Sequence, residues 1–282
     1  MKTLSPLRVV TVVGTRPEII RLSRVIYALD KSPAIDHILV HTGQNYDYTL
    51  NEIFFEDLEI RKPNYFLEAA GESSSETIGN IIIKFDPLLN KLKPDALLVL
   101  GDTNSSLSSI SAKKRKVPIF HMEAGLRAFD KRMPEQRNRI LIDHMSDILL
   151  PYHKHHRENL IREGIHPSKI IISGNPTFEA MDAFKNEIEE SNILNLLDLQ
   201  PKEYIPVTLH RSENVDNPNI LQKILFALGD INKKLGKKII YPMHPRTRSK
   251  ITGIEIPKGV SIIKPLGFYD FNLVTTFIFK KK

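Results

Sequence analysis

Leu7-Arg8-Val9-Val10-Thr11-Val12-Val13 runs straight into Gly14-Thr15-Arg16-Pro17-Glu18. The first seven residues form a continuous apolar, β-branched run, the pattern of a strand covered on both faces. The glycine ends it, and Pro17 suits the first turn of a helix that the pattern carries to about Leu29. The same alternation repeats along the chain. Strands are expected at His37–His41, Ala96–Leu100, Val117–His121, Asp147–Leu150 and Lys169–Ile172. Helices are expected at Tyr46–Leu58, Glu76–Leu92, Asn104–Arg115, Pro134–Met145 and His153–Glu163. Strands alternating with helices of ten or more residues predict an α/β chain with a mainly parallel sheet. The strand rhythm stops over Asn186–Glu203 and resumes with Tyr204–Leu209, a helix over Pro218–Leu235, Lys238–Tyr241 and Ser261–Ile263. Two Rossmann-like domains are therefore expected, 1–185 and 186–282. The second shows only three strands, and its sequence reads as incomplete.

The 282 residues carry 40 Lys+Arg against 33 Asp+Glu, a formal charge of +7, with 41% hydrophobic residues and no cysteine. This composition excludes a disordered or collagen-like chain, a disulfide scaffold, a thiolate zinc site and a cysteine nucleophile, and suits a reducing, cytoplasmic setting. The absence of Trp and an aromatic content of 7% argue against a stacking surface for nucleic acid. No apolar run approaches the length of a membrane helix, so no membrane partner is expected. The Lys113–Lys116 cluster reads as solvated surface. The His153–His156 cluster has no carboxylate at metal spacing, and no metal site is expected.

In open α/β sheets ligands bind beyond the carboxyl ends of the strands, so the segment after each strand carries the chemistry. After the first strand, Arg16 beside a helix N-terminus makes either a seat for an anion or a plain strand–helix turn. After Ala96–Leu100, Asp102 either caps the next helix or stands as a base or hydroxyl acceptor. After Val117–His121 come Glu123 and Arg127. The next helix opens with Glu135, and Arg139 four residues on makes either an ordinary helix ion pair or part of the site. Asp102, Glu123 and Glu135 belong to one edge of one sheet, where neighbouring charges push carboxylate pKa values apart, as general acid/base chemistry requires. In the second domain, His210 and Arg211 follow one strand, and His244 and Arg246 follow the next.

The segments VVGTRPEII, HTGQNYD, LGDTNSSL, HMEAGLRAFDKRMPEQRNR, SGNP, LHRSENVDN and HPRTR stand in one order from Arg8 to Pro265. Together they resemble the non-hydrolysing UDP-N-acetylglucosamine 2-epimerase family. HTGQNYDYTLNEIFFEDLEIRKPNYFLEAAG looks most like the branch serving O-antigen or capsule synthesis, which includes the making of UDP-N-acetyl-L-fucosamine. The resemblance implies the two-domain fold of the GT-B glycosyltransferases, with a UDP-sugar as substrate in the cleft between domains. It implies epimerisation at C2 through elimination and re-addition of UDP, with no cofactor and no metal, and a homodimer. Asp102, Glu123, Glu135 and His210 match the family's catalytic positions. Arg16, Arg21, Arg127, Arg139, Arg211, Glu213, Asn214, His244, Arg246 and Phe271 match positions that hold the substrate. Arg21 stands where many relatives have Lys, and Gln136 replaces the second Glu of the common PEE. Relatives continue past PLGF into a segment that grips the nucleotide, whereas PLGFYDFNLVTTFIFKKK departs from that wording. The alternatives are an inactive truncated remnant and a GT-B glycosyltransferase.

Overall fold

The computed structural model describes residues 5–44, 54–130, 132–209, 212–243, 245–248, 250–251 and 253–276, with the backbone alone at 212, 213, 245 and 246. The chain divides into two compact units, 1–183 and 184–282.

In the first unit, β1 (Leu7–Val13), β2 (Ile35–His41), β3 (Tyr65–Phe66), β4 (Ala96–Leu100), β5 (Ile119–Met122) and β6 (Ile148–Leu150) form one six-stranded sheet. Its order is β3-β2-β1-β4-β5-β6, and every pairing is parallel. This is the Rossmann order, in which the chain reverses direction across the sheet between β1 and β4. The helices are α1 (Arg16–Lys31), α2 (Ser74–Leu92), α3 (Ser109–Lys114), α4 (Pro134–Met145), α5 (Lys154–Arg162) and α6 (Pro176–Ala183). Val10, Val12, Leu97, Val99 and Ile119 of the central strands pack against Phe85, Leu88 and Leu89 of α2 and Ile142 of α4. Apolar burial on this scale, worth roughly 25 cal/mol per Å², holds the layers together. Gly14 closes β1: a Cβ there would lie 2.1 Å from the hydroxyls of both Thr42 and Ser105.

Two sequence expectations change here, and a third lies largely outside the described residues. Asn104–Arg115 is not one helix but a 3-10 turn over Asn104–Ser108 followed by α3. Ser106 Oγ donates to the Leu100 carbonyl at 2.9 Å, and Ser105 pairs with Thr42 across to β2, so serine hydroxyls compete with helical bonding here. Lys169–Ile172 is no strand: a single parallel bridge joins Ile170 to Leu149. Ile170 is buried against Leu149 and Leu160, but Ile171 and Ile172 are exposed, so the pairing goes no further. The expected helix Tyr46–Leu58 falls largely outside the described residues, with Phe54–Asp57 helical.

The second unit carries a three-stranded parallel sheet, β7 (Tyr204–Pro206), β8 (Lys238–Pro242) and β9 (Val260–Ile263), in that order. The strand expected over Tyr204–Leu209 thus pairs only through its first three residues, although the Val207 N–H still reaches the Ile240 carbonyl. Helix α7 (Lys185–Glu190) and α8 (Ile193–Leu196) precede the sheet, and α9 (Ser212–Val215) follows β7. Then α10 spans Pro218–Leu235, capped by Asn217 and ended by left-handed Gly236. The helical segments α11 (Pro245–Arg248) and α12 (Phe268–Thr276) complete the unit. Leu221 and Leu225 of α10 meet Ile239 and Tyr241 of β8 in a separate core.

Candidate active site

Two turns at the carboxyl edge of the first sheet converge on one guanidinium. Arg139, projecting from α4, places Nη2 2.5 Å from Asp102 Oδ2 and 2.8 Å from Glu123 Oε1. Asp102 follows β4, and Glu123 follows β5. This geometry removes two of the simpler readings of the sequence. Asp102 does not cap the helical turn after it, because the cap position is Thr103 and it makes no side-chain cap bond. Arg139 goes to the two strand-end carboxylates, so the Glu135–Arg139 helix pair is not what the structure forms.

Glu123 accepts from three donors. Besides Arg139, these are the Arg21 guanidinium of α1 and the Tyr152 hydroxyl, the latter at 3.1 Å. Its backbone lies in the left-handed region at φ 63°, a conformation that costs a non-glycine residue on the order of 1–3 kcal/mol and recurs at functional turns. Tyr152 is raised well above an ordinary phenol, by burial first and then by the negative charge of Glu123, so it remains a hydroxyl donor.

Asp102 differs from Glu123 in facing open space. It lines a cavity of about 320 Å³ together with Gln44, Ser74, Thr77, Glu135 and Asn138. Burial raises its pKa, Arg139 pulls it down, and the nearby charges of Glu123 and Glu135 push it up again; the net direction is upward. Glu135 is exposed in the first turn of α4. A carboxylate with a raised pKa and a second one lining the same cavity are the kind of groups that general acid/base chemistry uses.

Glu18, not among the sequence candidates, ties the β1 turn to the β4 turn. Its Oε2 accepts from the Gly14 N–H at 3.1 Å and the Thr15 hydroxyl at 2.8 Å, and its Oε1 from the Thr103 hydroxyl at 2.8 Å. Burial lifts it to about 7, against the pull of those three donors. Tyr152 and Asn138, whose Nδ2 donates to the Asp102 carbonyl at 3.0 Å, were also missed. Tyr152 sits just after β6, so the strand-end rule, applied to one more strand, reaches it.

Arg127 does not reach the cavity. Its side chain, 2% exposed, is committed to Asp143 and Glu163 at 2.7 and 2.6 Å, so the substrate contact expected from the sequence gives way to a buried ion pair. Arg16 sits at the start of α1 with its guanidinium over the Phe54 ring, 5.6 Å from the centroid. In the second unit Asn214 is half-buried in α9, and Phe271 is partly exposed on α12. His210, Arg211 and His244 lie outside the described residues, as do the side chains of Glu213 and Arg246. Among the described residues no group of three His, Asp or Glu side chains is placed to hold a metal ion, and no helix is long and apolar enough to cross a membrane.

The model of the family described as UDP-N-acetylglucosamine 2-epimerase matches residues 27–276. The chain belongs to this family. A UDP-N-acetylglucosamine 2-epimerase of Methanococcus maripaludis is 38% identical over 270 residues, 92% of this chain and 73% of that protein. A UDP-2,3-diacetamido-2,3-dideoxy-D-glucuronate 2-epimerase of Pseudomonas aeruginosa is 37% identical over 267 residues, 94% of this chain and 74% of that one. The crystal structure of the Methanocaldococcus jannaschii UDP-GlcNAc 2-epimerase, in complex with UDP-GlcNAc and UDP, superposes with a TM-score of 0.88 at 36% identity. It covers 95% of this chain and 76% of that chain. The α/β class with two Rossmann-like sheets, as in the GT-B fold, is thus shared with the epimerases.

Proposed function

We propose that this chain inverts C2 of a UDP-N-acetylhexosamine. A carboxylate takes the C2 proton while the C1–O bond to UDP breaks, leaving a 2-acetamidoglycal and free UDP. UDP then re-adds at C1, and C2 receives a proton on its opposite face. No electron is gained or lost overall, so the step calls for acids, bases and cations. The observation that carries the reading is that Asp102 and Glu135 line one cavity, with Glu123 and Arg139 bound to the Asp102 side. Asp102 and Glu135 serve the two faces of C2. Glu123 fixes Arg21 and Arg139, whose charge balances the carboxylates as protons move. The family resemblance assigns Arg16, His210 and Arg211 as the cations that assist the departing diphosphate. The cytoplasm is the compartment we assign, and a homodimer the assembly.

The substrate class is a UDP-sugar with a 2-acetamido group. Relatives of nearly equal identity are named for different sugars, and the candidates here are UDP-N-acetylglucosamine and UDP-N-acetyl-6-deoxytalosamine. Proton NMR in D2O with each sugar in turn tests the reading. Loss of the C2 proton signal with growth of a second anomeric signal is the expected outcome, and the faster sugar is the substrate. A folded chain that leaves the C2 proton of both sugars in place overturns it. Transfer of sugar to an acceptor with the C2 proton retained would instead identify a glycosyltransferase.

A further inference from the structure

Behind the Asp102 and Glu123 turns lies a second charged cluster that the proton chemistry does not use. His121 and Asp143 are fully buried, with His121 Nδ1 2.8 Å from Asp143 Oδ1. The other imidazole nitrogen, Nε2, lies 2.8 Å from the carbonyl oxygen of Gly101. The other Asp143 oxygen, Oδ2, accepts from the Gly125 N–H at 3.2 Å and from Arg127 Nη2 at 2.7 Å. Arg127 then forks onto Glu163, its Nε and Nη2 donating at 2.8 and 2.6 Å. One end of the cluster therefore holds the residue before Asp102, and the other holds the residue two beyond Glu123. Gly101 and Gly125 both lie in the left-handed region, at φ 74° and 73°. At Gly125 a Cβ would fall 2.2 Å from the His156 carbonyl oxygen, so this turn has no slack. The Gly101 N–H also donates to the Met122 carbonyl, which joins the two turns directly.

A buried ion-pair cluster is seldom the most stable way to fill a core, because desolvation offsets most of the attraction. What such a cluster does supply is fixed geometry. Hydrogen-bonded charges permit one arrangement, whereas apolar side chains of the same volume permit several. We infer that Asp143, acting through His121, is a positioning residue that sets the Asp102 turn against the Glu123 turn. Arg139 can bridge both carboxylates only while that spacing holds. The inference rests on reading Asp102 and Glu123 as the working carboxylates.

The test compares Asp143→Asn with Glu163→Gln, which alters only the partly exposed far end of the cluster. Amide hydrogen exchange at 101–103 and 123–125 is measured by NMR, beside kcat and KM for C2 inversion of UDP-N-acetylglucosamine. In D143N the amides of both turns should speed up at least about tenfold more than those of core strands β1 and β4, whose exchange reports the global loss of stability. Supporting side chains of this kind typically carry about 10–100-fold in activity, so kcat should fall by that factor with KM within about threefold. E163Q should keep both turns and kcat at the original values. His121→Phe serves if D143N fails to fold. It removes the bond to Gly101 and should loosen that turn, and His121→Gln, which restores a donor there, should recover part of the protection and of kcat. Unchanged exchange at Gly101, loosening spread evenly over the core, or equal losses in E163Q would overturn the inference. A starting protein inert toward the sugar but with turn-specific loosening in D143N would support the inference and sink the functional reading alone.

Discussion

Asp102 and Asp143 are the same residue type, both paired to arginine and both bonded around the turns at one sheet edge, yet they are pushed in opposite directions. Asp102 stands at the cavity wall, and its pKa is raised, by burial first and then by Glu123 and Glu135 against Arg139. Burial alone would also raise Asp143, but the bonds and charges of His121 and Arg127 outweigh it and hold the group below the usual range. The contrast lies in the ratio of donors to carboxylates. Three carboxylates crowd the Asp102 side, whereas a histidine, an arginine and a backbone N–H surround Asp143. A carboxylate short of donors is ready to take a proton, and one saturated with them is a fixed anchor.

The sharpest way to break this contrast is Asp102→Asn. Removing one positioned acid/base group should lower kcat by about 10²–10⁴-fold, while thermal stability stays level or rises because crowding among the carboxylates is relieved. Steady-state kinetics with a melting curve checks both halves; a large stability loss would place Asp102 with the anchors. Asp143→Asn should do the reverse for stability, costing about 3–5 kcal/mol at neutral pH as a buried pair is broken. The lowered pKa of Asp143 adds stability that is present above the unfolded value and lost as pH falls below it, so D143N should flatten the acid limb of the stability profile. Urea unfolding from pH 3 to 7 measures this.

Glu18 supplies the opposite slope. Its folded pKa of about 7 lies above the 4.5 of an ordinary glutamate, so the native chain binds the extra proton more tightly than the unfolded one. The stabilisation is complete below pH 4.5 and is lost as pH rises through 7, amounting to about 3 kcal/mol. Glu18→Gln should remove that slope, and an unchanged slope would show that another group titrates there. Smallest of all, Glu163→Gln should cost no more than about 1 kcal/mol, since its carboxylate is partly exposed and screened by solvent.

Strand periodicity made most of the first sheet legible, because continuous apolar runs such as Leu7–Val13 and Ala96–Leu100 leave no competing solution. Where it failed, side chains had displaced the backbone pattern. The serines of 104–109 break a helix that propensity alone would continue, and Ile170–Ile172 look like a strand although only Ile170 is buried and Ile171 and Ile172 stand exposed. In the site, strand-end position was enough to find Asp102 and Glu123. It could not tell Arg139, which bridges them, from Arg127, which does not reach the cavity, because that distinction depends on which way each side chain leaves its segment. Glu18 was passed over because it reads as an acidic residue in a helix's first turn, a common feature of any helix.

The backbone of Glu123 remains, a long side chain held where glycine or asparagine would be at ease. Selection for folding and for catalysis must therefore pull on this codon in opposite directions. A library of this gene screened only for soluble yield should accumulate glycine or asparagine at 123, and the same library screened for sugar inversion should purge them. The turn is a place where the evolutionary record of this chain can be read as a history of use: glutamate persists there only for as long as the reaction is demanded.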